Sequence, residues 1–311
     1  MHRRPFLSIA AAAPFGLALL PSVRLAAATN VRFMSVRSES GAAPVYAKNE
    51  GFFDDAGLDV DLRLMNSGSV VLSAVAGGAA DIGISNPVSL AAAYERGLAV
   101  TCIAPTVYYL RTKPTSLLMV LRDSKIRTAA DLNGKTVAVN GLKNTPQFAT
   151  QAWIDKGGGD SKTVSFVEVP FSAMAEALKQ GRVAAAFYAE PQLSEVRGSL
   201  RVLGDPYGAV AARFLTGAFF TMKSYAMQQP QVIRRVQEVL RRTAAWANSH
   251  PRETANILAK VQDLDVARVQ RMARSVYAEQ LSPADLQPPI DLAAKYGLLS
   301  APLAAKELIW S

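Results

Sequence analysis

From Val31 onward, apolar and polar positions fall into blocks whose period switches back and forth. The runs Val31–Val36, Val60–Leu64, Asp81–Ile84 and Val100–Val107 are short and mostly aliphatic, which predicts buried strands. Between them Ala43–Glu50, Gly68–Ala76 and Val88–Arg96 carry helical patterns, and Gly51, Gly57, Gly77-Gly78 and Gly97 stand at their ends. Such alternation predicts a parallel sheet with helices on both faces. A second series opens with Leu117–Leu121 and repeats the rhythm. Strands are expected at Thr136–Asn140, Val164–Val169, Ala184–Tyr188 and Arg201–Leu203, with helices at Thr145–Lys156 and Ser172–Gln180. The apolar run Phe214–Met222 leads out of it.

From Gln231 the pattern turns helical. Val232, Val236, Val239, Leu240, Thr243 and Trp246 recur at helical spacing with arginines on the other positions, which reads as an amphipathic helix packed on its lobe. Further helices are expected at Arg252–Val261, Val266–Ala278, Pro283–Tyr296 and Ala301–Ile309.

Small polar residues gather where strands give way to helices. Ser38, Ser40 and Gly41 follow the first strand, Ser85, Asn86 and Pro87 the third, and Asn140, Gly141, Asn144 and Thr145 the matching strand of the second series. Exposed amides at helix starts carry partial positive charge, so these turns suit a small polar or anionic ligand. Each has a plainer reading as well. Asn86 serves as an N-cap, and Pro87 suits a first helical turn.

Arg37, Tyr108, Tyr109, Arg111 and Arg213 lie near strand ends. A guanidinium there would pair with a sulfonate or carboxylate, and the rings would cover an organic body; ordinary surface arginines are the alternative. Glu190, in Ala189-Glu190-Pro191, discriminates between ligands: a carboxylate facing the pocket repels an anion and suits an amine or aminopyrimidine. Its other reading is a solvated strand-end glutamate.

Half of the 311 residues are apolar, and no segment after the N-terminal run has the length of a membrane span. That first run, Phe6–Leu20, follows Arg3-Arg4 and precedes Ala26-Ala27-Ala28, so residues 1–28 are expected to be a cleaved export signal, of Sec or twin-arginine type. An uncleaved anchor is the alternative. The formal charge of +9 comes with no Lys/Arg run interleaved with aromatics, which argues against nucleic acid. Cys102 is the single cysteine, so no internal disulfide is possible, and its apolar setting predicts a small buried side chain. The two histidines are His2, inside the expected signal, and His250, in an expected solvated interhelical turn, which leaves no material for a histidine triad or zinc site. No metal and no cofactor is expected.

Several motifs, in order, carry a family resemblance. Ala47–Asn49 with Glu50-Gly51-Phe52-Phe53 and Gly57-Leu58-Asp59-Val60, then Val75–Gly78 with Asp81-Ile82-Gly83, then Ala130-Asp131-Leu132-Asn133-Gly134-Lys135 with Val137-Ala138-Val139 resemble the periplasmic substrate-binding proteins of ABC importers for aliphatic sulfonates, taurine, nitrate and thiamine-pyrimidine precursors. The resemblance implies an α/β, two-lobed periplasmic binding protein fold of type II, each lobe a mostly parallel sheet flanked by helices, with the ligand in the cleft. Lobe one would comprise 29–118 and 219–311, and lobe two 119–218, with crossings near Ser116–Asp123 and Ala212–Thr221.

It further implies ligand contacts from Ser38, Ser40, Gly41, Ser85, Asn86, Pro87, Tyr108, Asn140, Asn144, Thr145, Glu190 and Arg213. The function implied is non-enzymatic: a monomer that captures a small organic ligand, a sulfonate or related anion, by lobe closure and delivers it to an inner-membrane permease. A neutral or aminated ligand, or a sensing role, are the alternatives. Relatives of the fold include a pyrimidine synthase that consumes its own histidine, and His250 is poorly placed for that chemistry.

Overall fold

The computed structural model describes residues 28–310 and His2, so the expected export signal lies almost wholly outside the described residues. The chain runs β1 (Thr29–Val36), a 3-10 turn at Glu39–Gly41, α1 (Ala43–Asn49), α2 (Phe52–Asp55), β2 (Leu58–Met65), α3 (Gly68–Ala76), β3 (Ile82–Ser85), α4 (Pro87–Glu95), β4 (Val100–Pro105) and β5 (Val107–Leu110). The second series is β6 (Ser116–Leu121), β7 (Thr136–Val139), α5 (Thr145–Lys156), β8 (Ser165–Glu168), α6 (Phe171–Lys179), β9 (Ala185–Ala189), α7 (Gln192–Val196) and β10 (Leu200–Gly204). Then come β11 (Arg213–Leu215), β12 (Ala218–Met222), α8 (Lys223–Gln228), α9 (Pro230–Ser249), α10 (Pro251–Gln262), α11 (Val266–Arg271), β13 (Val276–Tyr277) and α12 (Pro283–Lys295).

Two five-stranded sheets form the lobes, in the orders β2-β1-β3-β12-β4 and β10-β6-β9-β7-β8. In each, four strands share one direction and a single strand opposes them: β12 in the first, β6 in the second. The opposing strand is in each case the one by which the chain arrives from the other lobe. Of the stretches expected as crossings, Ser116–Asp123 holds β6, and Ala212–Thr221 holds β11 and most of β12.

A third sheet, β11-β5-β13, is antiparallel throughout; β5 and β11 lie at the two passages between the lobes in sequence, and β13 follows α11. The run expected as one strand at Val100–Val107 is divided between β4 and β5, so a single apolar stretch serves both lobe one and this hinge. The helix expected over Val266–Ala278 stops at Arg271, because Val276 and Tyr277 pair with Tyr108 and Val107 instead. Tyr277 N–H also donates to Asn248 Oδ1 at 2.9 Å, a tertiary contact that overrides helical periodicity. The helix expected over Ala301–Ile309 is a 3-10 turn at Ala305–Leu308. Beyond that turn the tail lies along the free side of β4, with Ile309 bridging Cys102 in parallel and Trp310 N–H donating to Cys102 O at 2.9 Å.

Cys102 is buried, and burial pushes its thiol up to about 12, so it stays a protonated, inert packing residue. His250 does cap the turn between α9 and α10, but its ring stacks on Trp246 with centroids 4.9 Å apart, so it is less solvated than expected. Among the described residues, no helix is long and apolar enough to cross a membrane.

The lobe cores are tightly packed. At Gly83, in the middle of β3, a Cβ would approach Val71 Cγ1 to 2.5 Å and Val75 Cγ2 to 2.8 Å, so α3 lies directly on the strand. Gly83→Val is expected to destabilise the fold by about 1–3 kcal/mol through overpacking, measured as a lower urea midpoint at unchanged slope.

Candidate ligand-binding site

The carboxyl ends of both sheets face one another, and a cavity of about 110 Å³ lies between them. From the first lobe its wall takes Arg37, Ser38, Glu39 and Ser40 after β1, Asn66, Ser67 and Gly68 after β2, and Ser85 and Asn86 after β3. The second lobe supplies Thr115, Ser116, Asn140, Asn144, Phe171, Phe187 and Glu190. Tyr207, Thr216, Gly217 and Ser275 close the hinge side.

The two asparagine turns match across the cleft. Asn86 caps α4, its Oδ1 accepting from Ser89 N–H at 3.0 Å, and Asn144 caps α5 by accepting from Gln147 N–H at 3.2 Å. Thr145 Oγ1 donates to Asn86 Oδ1 at 3.2 Å, and Glu39 N–H donates to the Glu190 carbonyl at 3.3 Å, so the lobes touch directly around the cavity. Outside the cleft, α12 packs on α4, β11 and α5, and Tyr296 O–H donates to Asp155 Oδ2 at 2.6 Å.

The loop after β1 is held by a buried network absent from the sequence reading. Glu39 Oε1 accepts from Arg274 Nε at 2.5 Å, and its Oε2 from Ser275 N–H at 2.9 Å and Ser275 Oγ at 2.8 Å. Tyr277 O–H donates to the Glu39 carbonyl at 2.9 Å. Ser38 and Ser40 share a hydroxyl bond of 2.8 Å within the same loop.

Glu190 is only 2 % exposed and is no solvated strand-end residue. Its Oε2 accepts from Ser194 N–H at 2.9 Å and its Oε1 from Ser194 Oγ at 3.0 Å. Burial pushes its carboxyl up to about 7; the two Ser194 bonds and Arg197 oppose the rise, and Glu39 adds to it.

Of the residues singled out from sequence, Ser38, Ser40, Ser85, Asn86, Asn140, Asn144 and Glu190 line the cavity, as does Arg37 at its exposed edge. Gly41, Pro87, Tyr108, Thr145 and Arg213 do not. Gly41 is packed under β1, where any Cβ would collide with the Val36 carbonyl, and its own carbonyl accepts from Ser35 Oγ at 2.7 Å. Pro87 is buried in the first turn of α4, and Thr145 is spent on Asn86.

Arg213 and Tyr108 satisfy each other on the hinge sheet: the guanidinium lies 4.1 Å from the ring centroid and bonds Asp285 Oδ2 at 2.9 Å. Arg111 reaches the Gly208 carbonyl, and the Tyr109 hydroxyl donates to Asp205 Oδ2 at 2.5 Å. The strand-end rule misses Phe171, Phe187 and Tyr207, whose rings bring an apolar surface to a polar cavity. Asn66-Ser67 follows that rule and was legible after β2.

Two sheets of mostly parallel strands, joined by a hinge and enclosing a polar cavity at their carboxyl ends, define a periplasmic binding protein fold. The chain belongs to the NMT1/THI5-like family, whose model matches residues 40–254. Its fold is that of the alkanesulfonate-binding protein of Xanthomonas axonopodis pv. citri, at a TM-score of 0.76 and 21% identity over 92% of this chain and 99% of that one. The periplasmic nitrate-binding protein of Synechocystis gives 0.75 at 14% identity, covering 89% and 84%. In sequence, the chain is 23% identical to a formylaminopyrimidine-binding protein of Halalkalibacterium halodurans over 70% of this chain and 65% of the relative.

Proposed function

We propose that this protein is the solute-binding component of an ABC-type importer. It captures a small organic molecule in the periplasm between its two lobes, as a monomer, and hands it to a permease in the inner membrane. The observation that carries this reading is the cavity itself, walled by residues of both lobes that already touch through Thr145–Asn86 and Glu39–Glu190. Ligand contacts made only in the closed arrangement shift the population toward closure, which is what capture requires. The expected export signal agrees with a periplasmic place of work.

No catalytic step is part of this reading. The cavity wall offers hydroxyls, amides, aromatic rings, the Arg37 guanidinium and the carboxyl groups of Glu39 and Glu190 but neither cysteine nor histidine, and among the described residues no cluster of His, Cys, Asp or Glu could hold a metal ion. Alkanesulfonate, nitrate and formylaminopyrimidine, for which similar proteins are named, support a solute of that small size. Ser38, Ser40, Ser85, Asn86, Asn140 and Asn144 would read its polar groups, while Phe171, Phe187 and Tyr207 would cover its body.

A thermal-shift screen of sulfonates, aromatic carboxylates, amines and pyrimidines tests the reading. A true ligand at a hundredfold excess over Kd stabilises the protein by about 2.7 kcal/mol. Asn86→Ala and Asn144→Ala are each expected to cost about 1 kcal/mol of stability as lost caps, and together to weaken the hit at least tenfold. Unchanged affinity in the double variant would remove the strand-end site.

A further inference from the structure

The two buried carboxylates in the cavity wall are not equivalent. Glu39 is matched by the Arg274 guanidinium and by both donors of Ser275. Glu190, on the opposite lobe, receives only the neutral donors of Ser194; the nearest cation, Arg197, stands 3.9 Å from Oε1 on a half-exposed side chain. Glu190 is thus a buried carboxylate with no adequate counter-charge, which is costly unless a ligand supplies one. On the same lobe the buried Oδ1 of Asn140 has no hydrogen-bond partner. Phe171, Phe187 and Tyr207 line the same cavity, and aromatic rings attract cations.

Features that would favour an anion are reduced in number. Pro87 and Pro146 occupy the first turns of α4 and α5 and have no N–H, while the Ser89 and Gln147 amides are already taken by Asn86 and Asn144. The start of α3 keeps its amides free of side-chain caps. Arg37, the one cationic side chain in the wall among the described residues, is exposed and screened by solvent.

We infer that the captured solute carries a cationic N–H-bearing group, an alkyl- or arylammonium or an amidinium, which serves as counter-ion to Glu190 and donates to Asn140 Oδ1. This rests on the reading of the protein as a solute-binding component and names the charge class of its ligand. An ammonium group between Glu190 and the rings completes the closed state electrically, so it is the ligand that makes closure favourable.

The test is calorimetry on the full chain at pH 7 with matched probes: benzylamine and butylamine against benzenesulfonate and butanesulfonate. The amines are expected to bind and the sulfonates to bind at least tenfold more weakly. Glu190→Gln should weaken benzylamine at least tenfold. Ser194→Ala, which frees Oε1 while the backbone bond to Oε2 remains, should leave it unchanged or tighten it. Should Glu190→Gln not fold, Asn140→Ala gives the second reading, with an expected loss of about threefold or more for one hydrogen bond.

Benzylamine binding near pH 7 should also release protons, seen as a difference between buffers of unlike ionisation enthalpy, because burial raises the Glu190 carboxyl to about 7 and it ionises against the ligand. Arg197 and Glu39 are the other charged groups facing Glu190. Sulfonates that bind more tightly than the amines, or amine binding indifferent to both Glu190→Gln and Asn140→Ala, would overturn the charge assignment and leave the solute-binding reading standing. Binding of neither series also overturns it, and the wider screen then decides the solute-binding reading separately.

Discussion

Glu39→Ala is expected to lower the unfolding free energy by about 3–5 kcal/mol, because it strands the Arg274 guanidinium in a buried site. Glu39 is 1 % exposed and holds three donors from Arg274 and Ser275, 235 and 236 residues further along the chain. The loss is therefore larger than a surface ion pair would show, since exposed pairs contribute about 0–1 kcal/mol. Arg274→Ala should cost a similar amount, and the double variant clearly less than the sum, because each single change leaves one uncompensated charge. Urea denaturation of the four proteins closes the cycle. Strictly additive losses would mean that the pair is not coupled.

The second large effect concerns pH. Folding raises the Glu190 carboxyl from its usual 4.5 to about 7, chiefly by burial. Between those values the native state keeps a proton that the unfolded chain has released, so this residue makes stability fall as pH rises through that window. At about 1.36 kcal/mol per unit, the contribution reaches about 3 kcal/mol by pH 8 and is absent at pH 4. Glu190→Gln removes the proton exchange. Relative to wild type, the variant should gain up to about 3 kcal/mol of stability between pH 4.5 and pH 8, read as converging or crossing urea midpoints. Parallel pH profiles for the two proteins would show that Glu190 ionises freely and is not desolvated.

Local chemistry made much of the fold legible. The β1–β4 and β6–β10 series follow from apolar runs of strand length punctuated by glycines, and Asn86 and Asn144 announce their helices because capping is decided within three residues. The hinge sheet was not legible for a physical reason. β11 and β13 are three and two residues long and acquire strand geometry only by pairing with β5. The Glu39–Arg274 pair is likewise invisible along the chain, as nothing near Glu39 distinguishes it from a solvated acid in the first turn of a helix. Arg213 illustrates the opposite error: a guanidinium near a strand end looked free for a ligand, yet Tyr108 and Asp285 were within reach. Strand-end turns mark the cavity; the partners available in three dimensions decide which side chains remain for the solute.

The tail along β4 protects more than its own burial. β4 is an outer strand of the first sheet, and a bare outer strand presents unpaired N–H and C=O groups on which another molecule can build. Ile309 and Trp310 occupy that side by pairing with Cys102, and Thr101 Oγ1 holds the Leu308 carbonyl at 3.2 Å. Leu308, Ile309 and Trp310 thus cover hydrogen-bonding groups of β4 that would otherwise be open to strand addition. With that side of β4 paired within its own chain, the first lobe offers no open strand there on which a neighbouring molecule could build.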